Sequence, residues 1–190
     1  KISISGSKNA TLPILAASIL ANQVKITNIP LVKDIFTMIE LLNFIGLKTK
    51  LIKTQNTIKI SNLDKNIKTL APYKLVKTMR AGVLVLGSLL AKYRKAKVSL
   101  PGGCAIGTRP VNLHLFALKK LGAKIKIKNG YIFAEAKNGL KGTKIIFPSI
   151  SVGATENALI AAFKAKGKTI LKNCAIEPEI KDLISFLKKL

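Results

Sequence analysis

Lys97-Val98-Ser99-Leu100-Pro101-Gly102-Gly103-Cys104-Ala105-Ile106-Gly107-Thr108-Arg109-Pro110 runs directly into Val111-Asn112-Leu113-His114-Leu115-Phe116-Ala117-Leu118-Lys119-Lys120-Leu121-Gly122. Within this stretch a short β-branched strand gives way to a loop too rich in glycine and proline for helix or central strand. A helix follows, with Val111, Leu115 and Leu118 at helical spacing and Gly122 as its stop. The same plan recurs at Lys25-Ile26-Thr27-Asn28-Ile29-Pro30 onward to Gly46, and at Lys168-Thr169-Ile170-Leu171-Lys172-Asn173 onward to Leu190. The three starts lie 72 and 71 residues apart, a spacing that marks duplicated supersecondary units. The first two copies continue into alternating Lys/Ile strands.

A second helical pattern precedes each strand, over 9–22, 76–93 and 154–166. These segments are apolar on most faces and rich in small residues, which predicts helices inside the domain. The fold expected is α/β (α+β), with units at about 1–71, 72–147 and 148–190, the third incomplete. From strand-opening lysine to helix-ending glycine the first unit takes 21 residues and the second 25. The extra length falls in the Gly-Gly-Cys loop, and an insertion on a repeated scaffold is where function is usually placed.

With 190 residues and 48% hydrophobic content the chain can bury one core, near the usual ceiling for a single domain. The apolar run from Ala10 to Ala21 is broken by Pro13 and Ser18 and is too short to span a bilayer, so no membrane partner is expected. Two cysteines and no signal peptide point to a reducing, cytoplasmic setting. The net charge of +25 comes from 33 basic residues, of which only Arg80, Arg94 and Arg109 are arginine. Nucleic-acid binders concentrate arginine and aromatics on one face. Here lysine is spread along the whole chain beside abundant Ile and Asn, as an A- and T-rich coding sequence produces, so no nucleic-acid partner is expected. The charge would still draw in an anionic substrate.

Cys104 is a thiol on a loop that feeds a helix start, with Arg109 five residues on, a place suited to thiol chemistry and anion binding. Its alternative is the ordinary fate of a free cysteine, a small buried hydrophobe. Arg80, read as part of an apolar helix from Met79 to Leu90, is either paired internally or directed at a ligand. His114, the one histidine, is assigned a structural or supporting role on the side of its helix away from Val111, Leu115 and Leu118. Cys174 is assigned to the core.

Five segments in register carry a family resemblance: Ile4-Ser5-Gly6-Ser7-Lys8-Asn9-Ala10, Lys77-Thr78-Met79-Arg80-Ala81, the loop 101–110 with Val111-Asn112-Leu113-His114, Ser151-Val152-Gly153-Ala154-Thr155-Glu156-Asn157, and Glu177-Pro178-Glu179-Ile180. Together they resemble the UDP-N-acetylglucosamine 1-carboxyvinyltransferases, enolpyruvyl transferases of peptidoglycan synthesis. The resemblance implies an inverse α/β, barrel-like domain of three βαβαββ units with interior helices, one of two such domains. It implies transfer of the enolpyruvyl group of phosphoenolpyruvate to the 3-hydroxyl of UDP-N-acetylglucosamine, with no cofactor and no metal.

By this resemblance Cys104 is the proton donor and the residue alkylated by fosfomycin, a role for which its free pKa near 8.5 leaves it mostly protonated yet ready to exchange. Lys8, Asn9 and Arg109 bind phosphoenolpyruvate. Arg80, Arg109, Pro110, Val111, Asn112, Leu113, Ser151 and Val152 bind the nucleotide sugar. Asn112 stands where the family commonly has aspartate, and its amide still offers uracil a donor and an acceptor. Ser149 stands where some members carry lysine. The family's site lies between two domains, and the second supplies an aspartate and an arginine that this sequence lacks, so the chain alone is expected to be inactive. Two other readings stand beside this one: a basic binding module, and the sister enzyme acting on shikimate phosphate, whose members lack the Pro-Gly-Gly-Cys loop and the Arg-Pro-Val pocket.

Overall fold

The computed structural model describes residues 4–64, 66–102 and 111–190. Among the described residues three sheets lie along the chain. In the first, β1 (Gln23–Ile26), β2 (Lys48–Ile52) and β3 (Thr57–Ser61) run antiparallel in the order β1-β3-β2. In the second, the order is β4-β5-β7-β6, with β4 (Leu70–Ala71) parallel to β5 (Lys95–Ser99), and β6 (Lys124–Lys128) and β7 (Tyr131–Glu135) forming an antiparallel hairpin beside it. The third pairs β8 (Lys144–Ile146) in parallel with β9 (Ile170–Lys172).

The sheets also show where the repeats divide. Leu70–Ala71 pairs with Lys97–Val98 in the second sheet, and Lys144–Ile146 pairs within the third. Divisions after 71 and after 147 would therefore separate each strand from its partners. Divisions before Leu70 and before Lys144 keep every sheet whole.

The strands alternate as half-buried strands must. Ile58 and Ile60 of β3, Val98 of β5, and Ile132 and Ala134 of β7 point inward, while lysines point out. Three helices are apolar nearly all round: α1 (Lys8–Ala17), α4 (Val85–Tyr93), which packs on β5 and β7, and α6 (Val152–Ala162), which like α1 packs mainly on other helices. Leu15, Ala16, Val85, Leu86, Leu89, Ala154, Ala158, Ile160 and Ala161 are all fully buried. The expectation of interior helices thus holds. Around them pack α2 (Lys33–Ile45), α5 (Asn112–Lys120) and α7 (Pro178–Leu187), each buried on one side.

The interior helices meet through small and polar residues. Ser88 on α4 donates its hydroxyl to the Ala16 carbonyl of α1 at 2.7 Å, and Asn157 on α6 donates its amide to the Val83 carbonyl at 3.1 Å. Gly87 makes the second approach feasible, since a Cβ there would lie 2.2 Å from Asn157 Oδ1.

Two helix expectations need correction. The segment 76–93 is not one helix. A short α3 (Tyr73–Val76) ends, Met79 is extended at φ −126°, and a 3-10 turn over Arg80–Leu84 leads into α4. The chain doubles back so tightly that a Cβ at Gly82 would press on Val76 at 3.3 Å. Arg80 therefore opens a turn rather than sitting inside a helix. The first interior helix ends at Ala17, and its apolar pattern continues as a 3-10 turn over Ser18–Leu20.

Candidate functional site

Ser7-Lys8-Asn9-Ala10-Thr11 and Ser151-Val152-Gly153-Ala154-Thr155 start α1 and α6 with the same cap. Ser7 Oγ accepts from the Ala10 N–H at 3.3 Å, and Thr11 Oγ1 donates to the Ser7 carbonyl at 2.7 Å. Ser151 Oγ accepts from the Ala154 N–H at 3.3 Å, and Thr155 Oγ1 donates to the Ser151 carbonyl at 2.8 Å. A serine cap satisfies one of the free amides of the first turn and leaves the others facing outward, with the positive end of the helix dipole behind them.

Both N-termini open on one cleft of about 540 Å³. Lys8, Asn9 and Pro13 line it from α1, Arg80, Ala81 and Val83 from the 3-10 turn, Ser151, Val152 and Gly153 from the start of α6, and His114 from α5. Two helix N-termini, an ammonium and a guanidinium around one hollow form a site for an anion such as phosphate. Arg80 is exposed there and makes no salt bridge among the described residues. Of the two alternatives open for it, the internal pair is not formed.

The cleft also carries acid. Asp34 of α2 pairs with Lys8, its Oδ2 3.1 Å from Nζ. Glu156 of α6 and Glu179 of α7 line the cleft as well. Glu156 is buried, and burial, followed by the charges of Glu179 and Glu177, raises its pKa from 4.5 to about 8. Near neutrality it is largely protonated, so Glu156 itself adds little negative charge to the cleft. His114 is pushed the other way, from 6.5 down to about 4, by burial first and by the Arg80 charge second. Its ring is neutral at physiological pH.

Five of the residues singled out from the sequence thus meet in one place: Lys8, Asn9, Arg80, Ser151 and Val152. Val111, Asn112 and Leu113 start α5 beside it, with Val111 buried and Asn112 exposed, and none of the three lines the cleft. Cys104, Arg109 and Pro110 lie outside the described residues. On either side of that segment, Gly102 packs so closely that a Cβ would meet the Lys77 carbonyl at 2.8 Å, and Val111 leads into the helix that carries His114. His114 itself is not on an outer face. It is 7% exposed, wedged between α5 and α6, so the buried arc of α5 is wider than the Val111, Leu115, Leu118 stripe. Cys174 is half-buried at the margin of the core, and Ser149 is exposed and does not line the cleft.

Asp34, Glu156, Glu179 and Asn157 are not assigned to the site by the sequence, although the last three stand in the motifs that carry the resemblance. For Glu156 and Asn157 a signal existed, because polar residues recur in a helix otherwise made of Ala, Ile and Leu.

Among the described residues no helix is long and apolar enough to cross a membrane. Searches among known proteins agree with the architecture and with the motifs. In solved structures the chain superposes on the enolpyruvyl transferase NikO from Streptomyces tendae with a TM-score of 0.83 and 19% identity, covering 98% of this chain and 43% of that one. An EPSP synthase from Acinetobacter baumannii matches with a TM-score of 0.73 and 17% identity, over 95% of this chain and 42% of that one. These likenesses concern the fold. In sequence the chain is 62% identical to a UDP-N-acetylglucosamine 1-carboxyvinyltransferase of Pelagibacter ubique over 98% of its own length and 44% of that protein. It is 56% identical to the enzyme of the same name from Endomicrobium trichonymphae over 100% of this chain and 45% of that protein. The chain thus spans a little under half the length of the relatives it matches. The profile of the EPSP synthase (3-phosphoshikimate 1-carboxyvinyltransferase) family matches residues 1–190. The chain belongs to that family of carboxyvinyl transferases, and within it is similar to the UDP-N-acetylglucosamine 1-carboxyvinyltransferases.

Proposed function

We propose that this chain is the cysteine-loop domain of a two-domain transferase that moves the enolpyruvyl group of phosphoenolpyruvate to the 3-hydroxyl of UDP-N-acetylglucosamine, the first committed step of peptidoglycan synthesis in the cytoplasm. The observation that carries this reading is the convergence of Lys8, Asn9, Arg80, Ser151 and Val152 on one cleft with two helix N-termini. These five, which the resemblance assigns to substrates, come from distant parts of the sequence, and the cleft they share suits phosphate.

In this mechanism Cys104 donates its thiol proton to the methylene carbon of phosphoenolpyruvate while the sugar hydroxyl, yielding its own proton to the aspartate of the second domain, adds to the adjacent carbon. Loss of a proton from the resulting methyl group then expels inorganic phosphate and restores the double bond. Lys8, Asn9 and Arg109 hold the phosphoenolpyruvate, and Arg80, Arg109, Pro110, Val111, Asn112, Leu113, Ser151 and Val152 hold the nucleotide sugar. Aimed donors of this kind stabilise charge that grows in the transition state. The second domain supplies the groups on the opposite wall.

The test is phosphate release in the presence of both substrates. The 190-residue chain alone releases none, and the same chain joined to the remaining half of a close relative does, with Cys104→Ser abolishing it. Turnover by the isolated chain would overturn the two-domain reading. Fosfomycin labelling at Cys104 in the joined protein is a second expected result.

A basic binding module remains the alternative, and one observation favours it. Lys25, Lys59 and Lys50 stand side by side across the first sheet, and like charges so placed cost stability unless an anion neutralises them. Steeply salt-dependent association with arbitrary RNA, lost when the row is reversed in charge, would support that reading.

A further inference from the structure

We propose that Asn157 is a positioning residue: it holds His114 as the neutral tautomer protonated on Nε2, so that the ring offers an uncharged N–H donor to a phosphate or carboxylate oxygen of the substrate in the cleft. This rests on the substrate reading above.

Asn157 sits fully buried in the middle of α6. Its amide nitrogen has two protons and two neighbours, the Val83 carbonyl at 3.1 Å and His114 Nδ1 at 3.1 Å. A carbonyl oxygen only accepts, so the Val83 contact orients the amide with nitrogen on this side. The second N–H then faces Nδ1, which must present its lone pair. A neutral imidazole carries one proton, and it is left on Nε2.

The opposite orientation would set Asn157 Oδ1 against the Val83 oxygen. In the orientation observed, Oδ1 is buried without a hydrogen-bond partner among the described residues and occupies the space left by Gly87. An unpaired buried oxygen is costly, and the fold retains it to keep both donations.

The other edge of the ring is kept open. Gly153 stands against it, where a Cβ would come within 3.1 Å of Cε1 and 3.3 Å of Nε2. His114 and Gly153 both line the cleft. The charged and titratable groups around the same hollow are Lys8 from α1, Asp34 from α2, Arg80 from the 3-10 turn, Glu156 from α6 and Glu179 from α7. With two cations already there, a third would have to be desolvated against like charge. A neutral donor adds a directed hydrogen bond without that cost. The depressed pKa of His114 agrees with a ring that stays neutral.

The chain has one histidine, so long-range 1H–15N correlation of the labelled 190-residue chain reads this ring alone. The expected spectrum at pH 7 has a protonated Nε2 and an unprotonated Nδ1. A proton on Nδ1, averaging between tautomers, or an imidazolium would overturn the proposal. Asn157→Asp replaces the donor by an acceptor, and in the folded variant the proton moves to Nδ1 and the ring titrates at or above the ordinary ~6.5. An unchanged tautomer in that variant would show that Asn157 does not set it. If the variant does not fold, the wild-type spectrum still decides the arrangement.

Adding UDP-N-acetylglucosamine or, separately, phosphoenolpyruvate then identifies the acceptor. One of them shifts the Nε2 resonance and slows exchange of its proton, and which one does so names the source of the oxygen. Backbone amides of Arg80 and Ser151 that respond while Nε2 does not would overturn the donor role and leave the substrate reading standing. If neither compound moves any cleft resonance even when the chain is joined to its second domain, the substrate reading fails and the donor role fails with it.

Discussion

Lys8 Nζ stands 3.1 Å from Asp34 Oδ2, the one salt bridge among the described residues, and it ties a residue at the mouth of α1 to the first turn of α2. Both side chains are substantially exposed, so the pair contributes little to stability. On the proposed function, Asp34 instead competes with an incoming anion for the ammonium. Asp34→Asn is expected to change unfolding free energy by less than about 1 kcal/mol. It should tighten binding of inorganic phosphate about threefold at low salt, equivalent to ~0.6 kcal/mol. Titration calorimetry on both proteins checks this, and weaker binding in the variant would mean that Asp34 orients Lys8 rather than competing for it.

The buried pair of titratable groups makes a prediction about pH. Between about pH 4.5 and 6.5 the unfolded chain binds the His114 proton that the folded chain refuses, so this group makes stability rise with pH. Over the same interval the folded chain keeps the Glu156 proton that the unfolded chain has lost, so that group makes stability fall. The two nearly cancel. From about pH 6.5 to 8 Glu156 acts alone, and stability declines with a slope approaching about 1.4 kcal/mol per pH unit. Glu156→Gln should abolish the alkaline decline and uncover the His114 rise on the acid side. Urea midpoints measured across this range provide the check; equal wild-type stability at pH 6.5 and 8 would contradict it.

Close approach of the interior helices predicts opposite tolerances at adjacent positions. Gly87→Ala drives a methyl group to within 2.2 Å of Asn157 Oδ1 and 2.8 Å of the Asn157 backbone oxygen, and the backbone atom cannot swing aside, so the variant is expected to cost about 3 kcal/mol or more, beyond the usual helix gain of alanine. Ser88→Ala removes only the hydroxyl donation to Ala16 and is expected to cost about 1 kcal/mol. Chemical denaturation of the two variants distinguishes them.

The matched caps allow stability to be separated from binding. Ser7→Ala and Ser151→Ala each remove one cap hydrogen bond and should cost a similar amount, about 1 kcal/mol. If Ser151 also meets the nucleotide sugar, only its variant loses more than about tenfold in affinity for UDP-N-acetylglucosamine in the two-domain protein. Equal affinity in the two variants would reduce Ser151 to a cap.

Much of this molecule could be read from local pattern. Alternating Lys/Ile runs announced β2, β3 and β6, and the repeat from Lys25 to Lys97 to Lys168 announced the layout, because strand and helix periods are properties of neighbouring residues. The all-round apolarity of 9–22 and 154–166 placed those helices inside, since no face of them suits water. The break at Met79 was not legible, because it depends on Val76 meeting Gly82 across a turn. Nor was the pairing of Leu70–Ala71 with the second sheet, since two residues carry no period.

The sequence by itself determined the family, the fold and the residue types that bind anions, because these follow from composition, order and motif. Only the tertiary structure decided which of those residues share a cleft, that Arg80 faces it with no salt bridge among the described residues, that Glu156 keeps its proton and that Asn157 orients His114. Those properties arise from distance and burial between segments far apart in the chain, and electrostatic and hydrogen-bond energies depend on that geometry rather than on order along the backbone.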